Sequence, residues 1–170
     1  MNFENKLIPG EFIKRYKRFF VDVKINNQII TAHCPNPGSM MGLLKKNNKV
    51  WVTEANNKKR KLKYTLQIIK DGGSKVGVNT HLTNKIVLHA LEKNLIKDFN
   101  QIINIKSEQT FGKNTRFDFF LEEKTNKSFL EVKNVTLKRE SNIAEFPDSV
   151  TTRGTKHLNE LINAKIKGFN

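Results

Sequence analysis

The stretch Thr115–Leu137, TRFDFFLEEKTNKSFLEVKNVTL, places three charged residues inside two apolar runs. Asp118 stands among phenylalanines, and Glu131 and Lys133 alternate with apolar residues in the second run. The runs are separated by a polar loop, Glu122–Ser128, that contains no proline, so the pattern predicts a β-hairpin with a long connection. Since side chains two apart in a strand lie on one face, Glu131 and Lys133 are predicted to share a face.

Ionised groups on a covered face are costly unless they pair or hold a metal. An acid, a hairpin and then Glu-x-Lys is the arrangement of magnesium-dependent nucleases of the PD-(D/E)XK type. Their carboxylates supply hard oxygen ligands to Mg²⁺, and their lysine orients water or offsets developing negative charge. The pattern predicts a catalytic set of Asp118, Glu131 and Lys133. It also predicts a site for Mg²⁺ or Mn²⁺ formed by Asp118, Glu131 and Glu108 of the preceding strand.

The same charges have a purely structural interpretation. Glu-x-Lys occurs twice more in the chain, at Glu4–Lys6 and at Glu122–Lys124, where it indicates solvated charge. An exposed strand face carrying a Glu131–Lys133 ion pair is therefore the alternative to a metal site.

Length and composition exclude several classes of protein. The chain has 170 residues, of which 37% are apolar, enough for one ordinary domain or two small ones. No apolar run reaches about 18 residues, and the N-terminus lacks the pattern of a secretory signal, so we expect a cytoplasmic protein without a membrane partner. Cys34 is the single cysteine, which excludes an internal disulfide and a cysteine-based zinc site.

The net charge of +15 favours a polyanionic partner, nucleic acid above all. Residues 1–80 carry 16 Lys and Arg against 5 Asp and Glu, a net of +11, whereas residues 81–170 carry 15 against 11, a net of +4. The abundance of lysine and asparagine is also what an AT-rich genome would produce. The distribution is more informative, because it places the basic excess in the first half.

The spacing of apolar residues changes near residue 80. Before that residue, short β-branched or aromatic runs separated by polar turns predict a small barrel of about five strands: Phe12–Ile25, Gln28–His33, Val50–Thr53, Leu62–Ile69 and Val76–Val78. After it, helical spacing begins at Thr83, and the order predicted is α-β-β-β-α. The last helix follows TTRGTKH, with an apolar stripe at Leu158, Leu161, Ile162 and Ile166.

Three basic groups are candidates for DNA contact. They are Lys14, Arg15, Lys17 and Arg18; Lys58, Lys59, Arg60 and Lys61; and Arg153 and Lys156 with His157. The first group alternates with Phe12, Tyr16, Phe19 and Phe20, as in barrels that track phosphates and stack bases on aromatic rings. The alternatives are a strand that buries its aromatics, a solvated turn, and a helix that Thr151 or Thr152 simply caps.

Six segments in order span nearly the whole chain: KRYKRFFVDV, HCPNPGSM, KVGVNT, RFDFFL, EVKNVTL and FPDSVTTRGTKHLNEL. Together they resemble the sugar fermentation stimulation protein A family of bacteria and archaea. The resemblance implies an OB-fold-like barrel in residues 1–80, followed in residues 81–170 by an α/β domain like the PD-(D/E)XK nucleases. It also implies DNA binding linked to sugar (maltose-type) metabolism, and it supports Asp118, Glu131 and Lys133 as the site. The excess of basic residues in the first half predicts that DNA is contacted mostly through its backbone, with little sequence specificity.

Two departures from the family affect these expectations. Pro37 stands where the family usually has threonine, which removes any hydroxyl role at that turn. Family members also continue beyond the position of Asn170 with at least one further strand. We therefore expect a C-terminally incomplete second domain that lacks its last strand, and an unprotected sheet edge that invites self-association.

Two functions remain open from sequence. One is a metal-dependent phosphodiesterase, and the other is a non-catalytic DNA-binding regulator of sugar metabolism genes. A complete set of two carboxylates and a lysine favours the first, since a DNA binder needs no cluster of acids facing a polyanion.

Overall fold

The computed structural model of the chain describes residues 1–99, 101–112, 115–140, 142–146 and 151–170. Within these ranges, no helix is long and apolar enough to cross a membrane. The chain forms two compact units. The first contains Met1–Leu82 and a later segment that begins at Asn134, and the second contains Thr83–Lys133 and the C-terminal helix.

The first unit is a barrel. Its strands are β1 (Ile8–Tyr16), β2 (Phe20–Ile25), β3 (Gln28–His33), β4 (Lys49–Glu54), β5 (Tyr64–Asp71) and β6 (Ser74–Gly77). They lie in the order β3-β2-β1-β4-β5-β6, and β3 also pairs with β5 in parallel at Ala32–Tyr64 and His33–Thr65. That pairing closes β1 to β5 into a five-stranded barrel, as predicted, and β6 extends β5 as a hairpin.

Alternate residues of the barrel strands form its core. The fully buried set is Val21, Val23, Ala32, Val50, Val52, Leu66 and Ile69, joined by Phe12, Cys34, Met40, Leu43 and Val78. Gly10 is required where β1 crosses β2, because a Cβ there would lie 2.6 Å from Val23 Cγ1 and 2.9 Å from the Lys24 carbonyl oxygen.

The run predicted from Phe12 to Ile25 is two strands. β1 ends at Tyr16 and β2 begins at Phe20, because Lys17 and Arg18 adopt left-handed backbone angles, with φ of 45° and 62°. Such angles reverse the chain direction and cannot continue a strand.

Arg15 uses its guanidinium inside the first unit. Nε donates to the Arg18 carbonyl at 2.7 Å, and the two terminal nitrogens donate to the carbonyls of Gly38 at 2.8 Å and Asn36 at 2.7 Å. One side chain therefore ties the β1–β2 turn to the loop that follows β3. The role of this arginine toward DNA stays a prediction, and in the structure its guanidinium donates to backbone oxygens.

Replacing Arg15 with glutamine is expected to lower the unfolding free energy of the barrel by about 1–3 kcal/mol, because three carbonyls lose a charged donor. Lys14→Gln is the matched control, since Lys14 lies 3.7 Å from Asp22 with 66% of its side chain exposed. Urea unfolding followed by the fluorescence of Trp51, the single tryptophan, measures both variants. Equal midpoints for the two would contradict the structural role.

The second unit follows the predicted order α-β-β-β-α. Its elements are α1 (Thr83–Glu92), β7 (Ile102–Phe111), β8 (Thr115–Glu123), β9 (Lys127–Leu130) and α2 (Thr152–Ile166). The three strands form an antiparallel sheet with β8 in the centre. Thr151 caps α2, as one of the two predicted candidates, with its hydroxyl oxygen accepting the Gly154 N–H at 2.9 Å.

Both helices pack against side chains of β8. Leu91 of α1 joins Phe119 and Leu121 in one cluster, and Ala164 of α2 joins Phe111 and Phe117 in another. The predicted apolar stripe of α2 is wrong in three of its four members: Leu158, Ile162 and Ile166 are exposed, and only Leu161 packs inward. Ala164 is the buried residue of α2, so the packed face is rotated from the side with the largest apolar residues.

The outer edge of β9 is covered in part by the last residues of the chain. The Phe129 N–H donates to the Asn170 carbonyl at 2.9 Å, and the Asn170 N–H donates to the Lys127 carbonyl at 2.9 Å. The Phe169 ring packs 5.1 Å from the Phe129 ring. The expectation of an unprotected edge is therefore wrong over Lys127–Phe129, because the residues after α2 return to pair with it.

Candidate functional site

Asp118 lies in the middle of β8 and both of its carboxylate oxygens accept hydrogen bonds. Oδ1 accepts from the side-chain amide of Asn84, in the first turn of α1, at 2.8 Å. Oδ2 accepts from the backbone N–H of Val132 at 2.7 Å. The buried neighbours Phe117 and Phe119 point to the packed side of the strand, so the carboxylate is fixed on a rigid element.

Glu131 and Lys133 follow β9 and are not part of it, contrary to the sequence prediction. The strand ends at Leu130, and the Val132 N–H that would continue the ladder is taken by Asp118 instead. The two side chains nevertheless meet, since the Lys133 ammonium contacts Glu131 Oε1.

His157 is the second partner of Glu131. Its Nδ1 lies 2.6 Å from Glu131 Oε1, and the side chains are only 12% and 8% exposed. The His157 ring also lies against the Phe117 ring, with centroids 6.5 Å apart and planes inclined by 73°. Because this contact is nearly buried, His157 fixes the direction in which the Glu131 carboxylate points.

Glu108 sits on β7 between the residues that pair with Phe119 and Phe117, directly across from Asp118. Its backbone has a φ of 55°, and its carboxylate lies 2.8 Å from Arg116 Nε with 55% of the side chain exposed. The third predicted ligand is therefore beside the other two but paired with an arginine.

One cavity of about 380 Å³ lies between the three predicted carboxylates and the first turns of α2, and neither Lys133 nor Asn84 is among its lining residues. Its walls are Glu108, Arg116, Asp118, Glu131, Thr152, Arg153, Lys156 and His157. The cavity combines acids of β7, β8 and the residues after β9 with bases from the N-terminus of α2, where phosphate binding is favourable. Among the residues that the structure describes, no three His, Cys, Asp or Glu side chains form a group able to hold a metal.

The remaining predicted DNA contacts lie in the first unit. Lys17 and Arg18 form the β1–β2 turn, and Lys58, Lys59, Arg60 and Lys61 lie between β4 and β5. Arg60 donates to the Thr65 hydroxyl at 3.2 Å. Their role toward DNA stays a prediction.

Sequence reasoning missed Asn84 and the contact of His157 with Glu131. The sequence predicts His157 only as part of the basic group at the start of the last helix. Its spacing of four from both Arg153 and Leu161 puts it on the helix side that contains the packed Leu161, which is the pattern that could have revealed it. No pattern in the sequence points to Asn84.

Comparison with known proteins agrees with this architecture. The family model described as "SfsA N-terminal OB domain" matches residues 13–78, and the model described as "Sugar fermentation stimulation protein RE domain" matches residues 81–170. The chain belongs to the SfsA family.

Two relatives and one solved structure cover almost the whole chain. A sugar fermentation stimulation protein homolog of Pelagibacter ubique is 58% identical over 169 residues, covering 99% of this chain and 73% of the relative. Its Bartonella quintana counterpart is 45% identical over 170 residues, with coverage of 99% and 73%. The structure of Pyrococcus furiosus SfsA in complex with Ca²⁺ matches with a TM-score of 0.83 at 28% identity, over 100% of this chain and 71% of that one.

Replacing Asp118 with asparagine is expected to lower the unfolding free energy by about 1–3 kcal/mol, because the hydrogen bonds to a charged acceptor are replaced by bonds between neutral groups. Adding Asn84→Asp should recover most of that loss, since the amide at position 118 then donates to the new carboxylate and still accepts from Val132. Thermal unfolding followed by circular dichroism compares the variants. A double variant no more stable than Asp118→Asn would contradict the assigned hydrogen bonds.

Proposed function

We propose that this protein binds DNA and hydrolyses phosphodiester bonds with a divalent metal ion held by Asp118 and Glu131. The observation that carries the proposal is the cavity that these two carboxylates share with Arg153 and Lys156. Carboxylates that face DNA repel its phosphates and weaken binding. Their presence beside phosphate-binding groups therefore favours a bound metal ion, whose positive charge would offset theirs.

The donor chemistry of the two carboxylates fits Mg²⁺ or Mn²⁺. A carboxylate has about four lone-pair positions, and Asp118 uses two of them in hydrogen bonds. Mg²⁺ is commonly held by one or two protein carboxylates together with waters and substrate phosphates. When bound, the metal would polarise the scissile phosphate and lower the pKa of a bound water. The Ca²⁺ in the Pyrococcus furiosus relative supports a divalent site.

Each neighbouring residue has a role in this proposal. Lys133 orients the attacking water or offsets negative charge at the phosphate, and Arg153 and Lys156 hold the phosphate at the start of α2. His157 positions Glu131 through their contact. Glu108 lies at the exposed rim of the cavity, where Arg116 pairs with it, and the proposal does not use it as a metal ligand.

A second candidate is a DNA-binding regulator of sugar metabolism genes that retains the fold without turnover. The observation that favours it is the state of Glu131, whose Oε1 is contacted by both Lys133 and His157. In that function the three side chains form a structural network, and bound metal is not required.

Metal binding separates the two candidates. Mn²⁺ is expected to raise the melting temperature of the wild type by several degrees, because it binds only the folded state. Asp118→Asn should abolish that shift, whereas Glu122→Gln, a carboxylate on the same strand outside the cavity, should retain it. Each variant is compared with and without Mn²⁺, so its own stability is the baseline. A wild type that shows no shift would count against the metal site.

Replacing Lys133 then distinguishes metal binding from DNA cleavage in the same set of variants. Lys133→Ala is expected to keep the Mn²⁺ shift and to lose cleavage of a supercoiled plasmid, because the ammonium acts on the water and the phosphate. If wild type shifts with Mn²⁺ yet cleaves no DNA under any divalent ion, the regulatory function is the better description.

DNA affinity should be mainly electrostatic, with log affinity falling linearly against log salt by about 0.9 per phosphate contacted. Lys17→Gln combined with Arg18→Gln should reduce that slope by up to about 1.8 if each contacts one phosphate. Lys45→Gln is the control, since its ammonium lies 3.2 Å from Asp71. Fluorescence anisotropy over a salt series measures the slope, and an unchanged slope in the double variant would place the binding surface elsewhere.

A further inference from the structure

Three rings stand in a row on the first unit, outside the cavity of the second. Phe19 and His33 have centroids 6.3 Å apart with planes inclined by 26°, and His33 and His81 have centroids 6.3 Å apart with planes inclined by 40°. Phe19 is 41% exposed and His81 is exposed as well. A single exposed ring is common, but rings placed side by side form a continuous apolar surface, which often marks a contact site for a partner.

The backbone beneath the row is fixed. The Cys34 N–H donates to the Phe19 carbonyl at 2.8 Å, which holds the β1–β2 turn against the end of β3. The His81 N–H donates to Asn79 Oδ1 at 3.1 Å, and the Asn79 amide donates to Gln67 Oε1 at 2.8 Å. A surface held in this way loses little conformational entropy when a ligand binds.

Positive charge borders the row. Lys17 and Arg18 directly precede Phe19 in the turn. Arg60 donates to Thr65, and Thr65 is the residue that pairs with His33 across the β3–β5 contact. Burial, with the nearby Arg60 and His81, lowers the pKa of His33, so this ring is neutral at neutral pH and offers an apolar face.

Barrels of this type bind single-stranded nucleic acid by stacking bases on aromatic rings and by contacting phosphates with lysine and arginine. We propose that Phe19, His33 and His81 form a stacking platform for unpaired bases of a single-stranded nucleic acid. The platform rests on the proposed binding of DNA and adds to it a preference for unpaired over paired bases. Of the aromatic residues that alternate with the basic group of β1, Phe12 is buried and Phe19 carries this function.

The test compares a 12-nucleotide DNA strand containing 2-aminopurine with its duplex and with an RNA strand of the same sequence. Wild type is expected to bind the DNA strand more tightly than the duplex and to quench 2-aminopurine fluorescence. Phe19→Ala should weaken binding of the strand about tenfold and remove the quenching, with duplex affinity unchanged. Phe19→Tyr should retain both. If the RNA strand binds as tightly as the DNA strand, the platform is supported and accepts unpaired bases of both RNA and DNA.

Phe3→Ala is the matched control, because Phe3 in the same unit is 40% exposed and lies outside the row. Equal losses for Phe19→Ala and Phe3→Ala, or quenching that survives Phe19→Ala, would overturn the platform. His81→Ala provides a second variant of an exposed ring, checked for folding by Trp51 fluorescence. Wild type that binds duplex without preferring the single strand would refute only the platform, whereas wild type that binds no nucleic acid would refute the proposed function itself.

Discussion

The carboxylate of Asp118 joins three parts of the second unit through two hydrogen bonds. It connects the central strand to the first turn of α1 through Asn84 and to the chain after β9 through the Val132 N–H. Because the Val132 N–H donates to Asp118, the hydrogen bonding of β9 to β8 ends at Leu130. Glu131 therefore lies just beyond the sheet, where it contacts His157 of α2. One acidic residue in an apolar strand is thus both a structural junction and a member of the candidate site.

Much of the fold follows from local sequence patterns. Short alternating runs predicted the closed barrel, and the change to helical spacing at Thr83 predicted the start of α1. The β1–β2 turn was missed because Lys17 and Arg18 occupy left-handed angles without the glycine or asparagine that normally reveals such a turn. The packed side of α2 was missed for another reason: apolar spacing alone favoured the larger Leu158, Ile162 and Ile166, whereas the sheet accommodates the smaller Ala164.

The candidate site was predictable where residues are close in sequence and unpredictable where they are distant. Asp118, Glu131 and Lys133 were found because the hairpin brings them together, and Glu108 because it precedes that hairpin. Asn84 and His157 come from helices 34 residues before Asp118 and 26 residues after Glu131. Periodicity shows which face of a helix is packed, but it does not show which strand residue lies opposite. Arg15 was equally hard to predict. It stands in a run of basic residues, and the sequence does not show that its guanidinium binds backbone oxygens while the Lys14 side chain is exposed to water.

The return of the chain to the first unit after β9 has a consequence for how these two parts are inherited. The segment that begins at Asn134 belongs with the barrel, and a Cβ added at Gly42 would lie 3.4 Å from Leu137 Cδ1. The family models meet near residue 80, as if the chain were two modules in tandem. A gene fusion that exchanged the second half at that boundary would therefore also remove part of the packing of the first. The boundary between the two family matches therefore differs from the boundary between the two compact units of the chain.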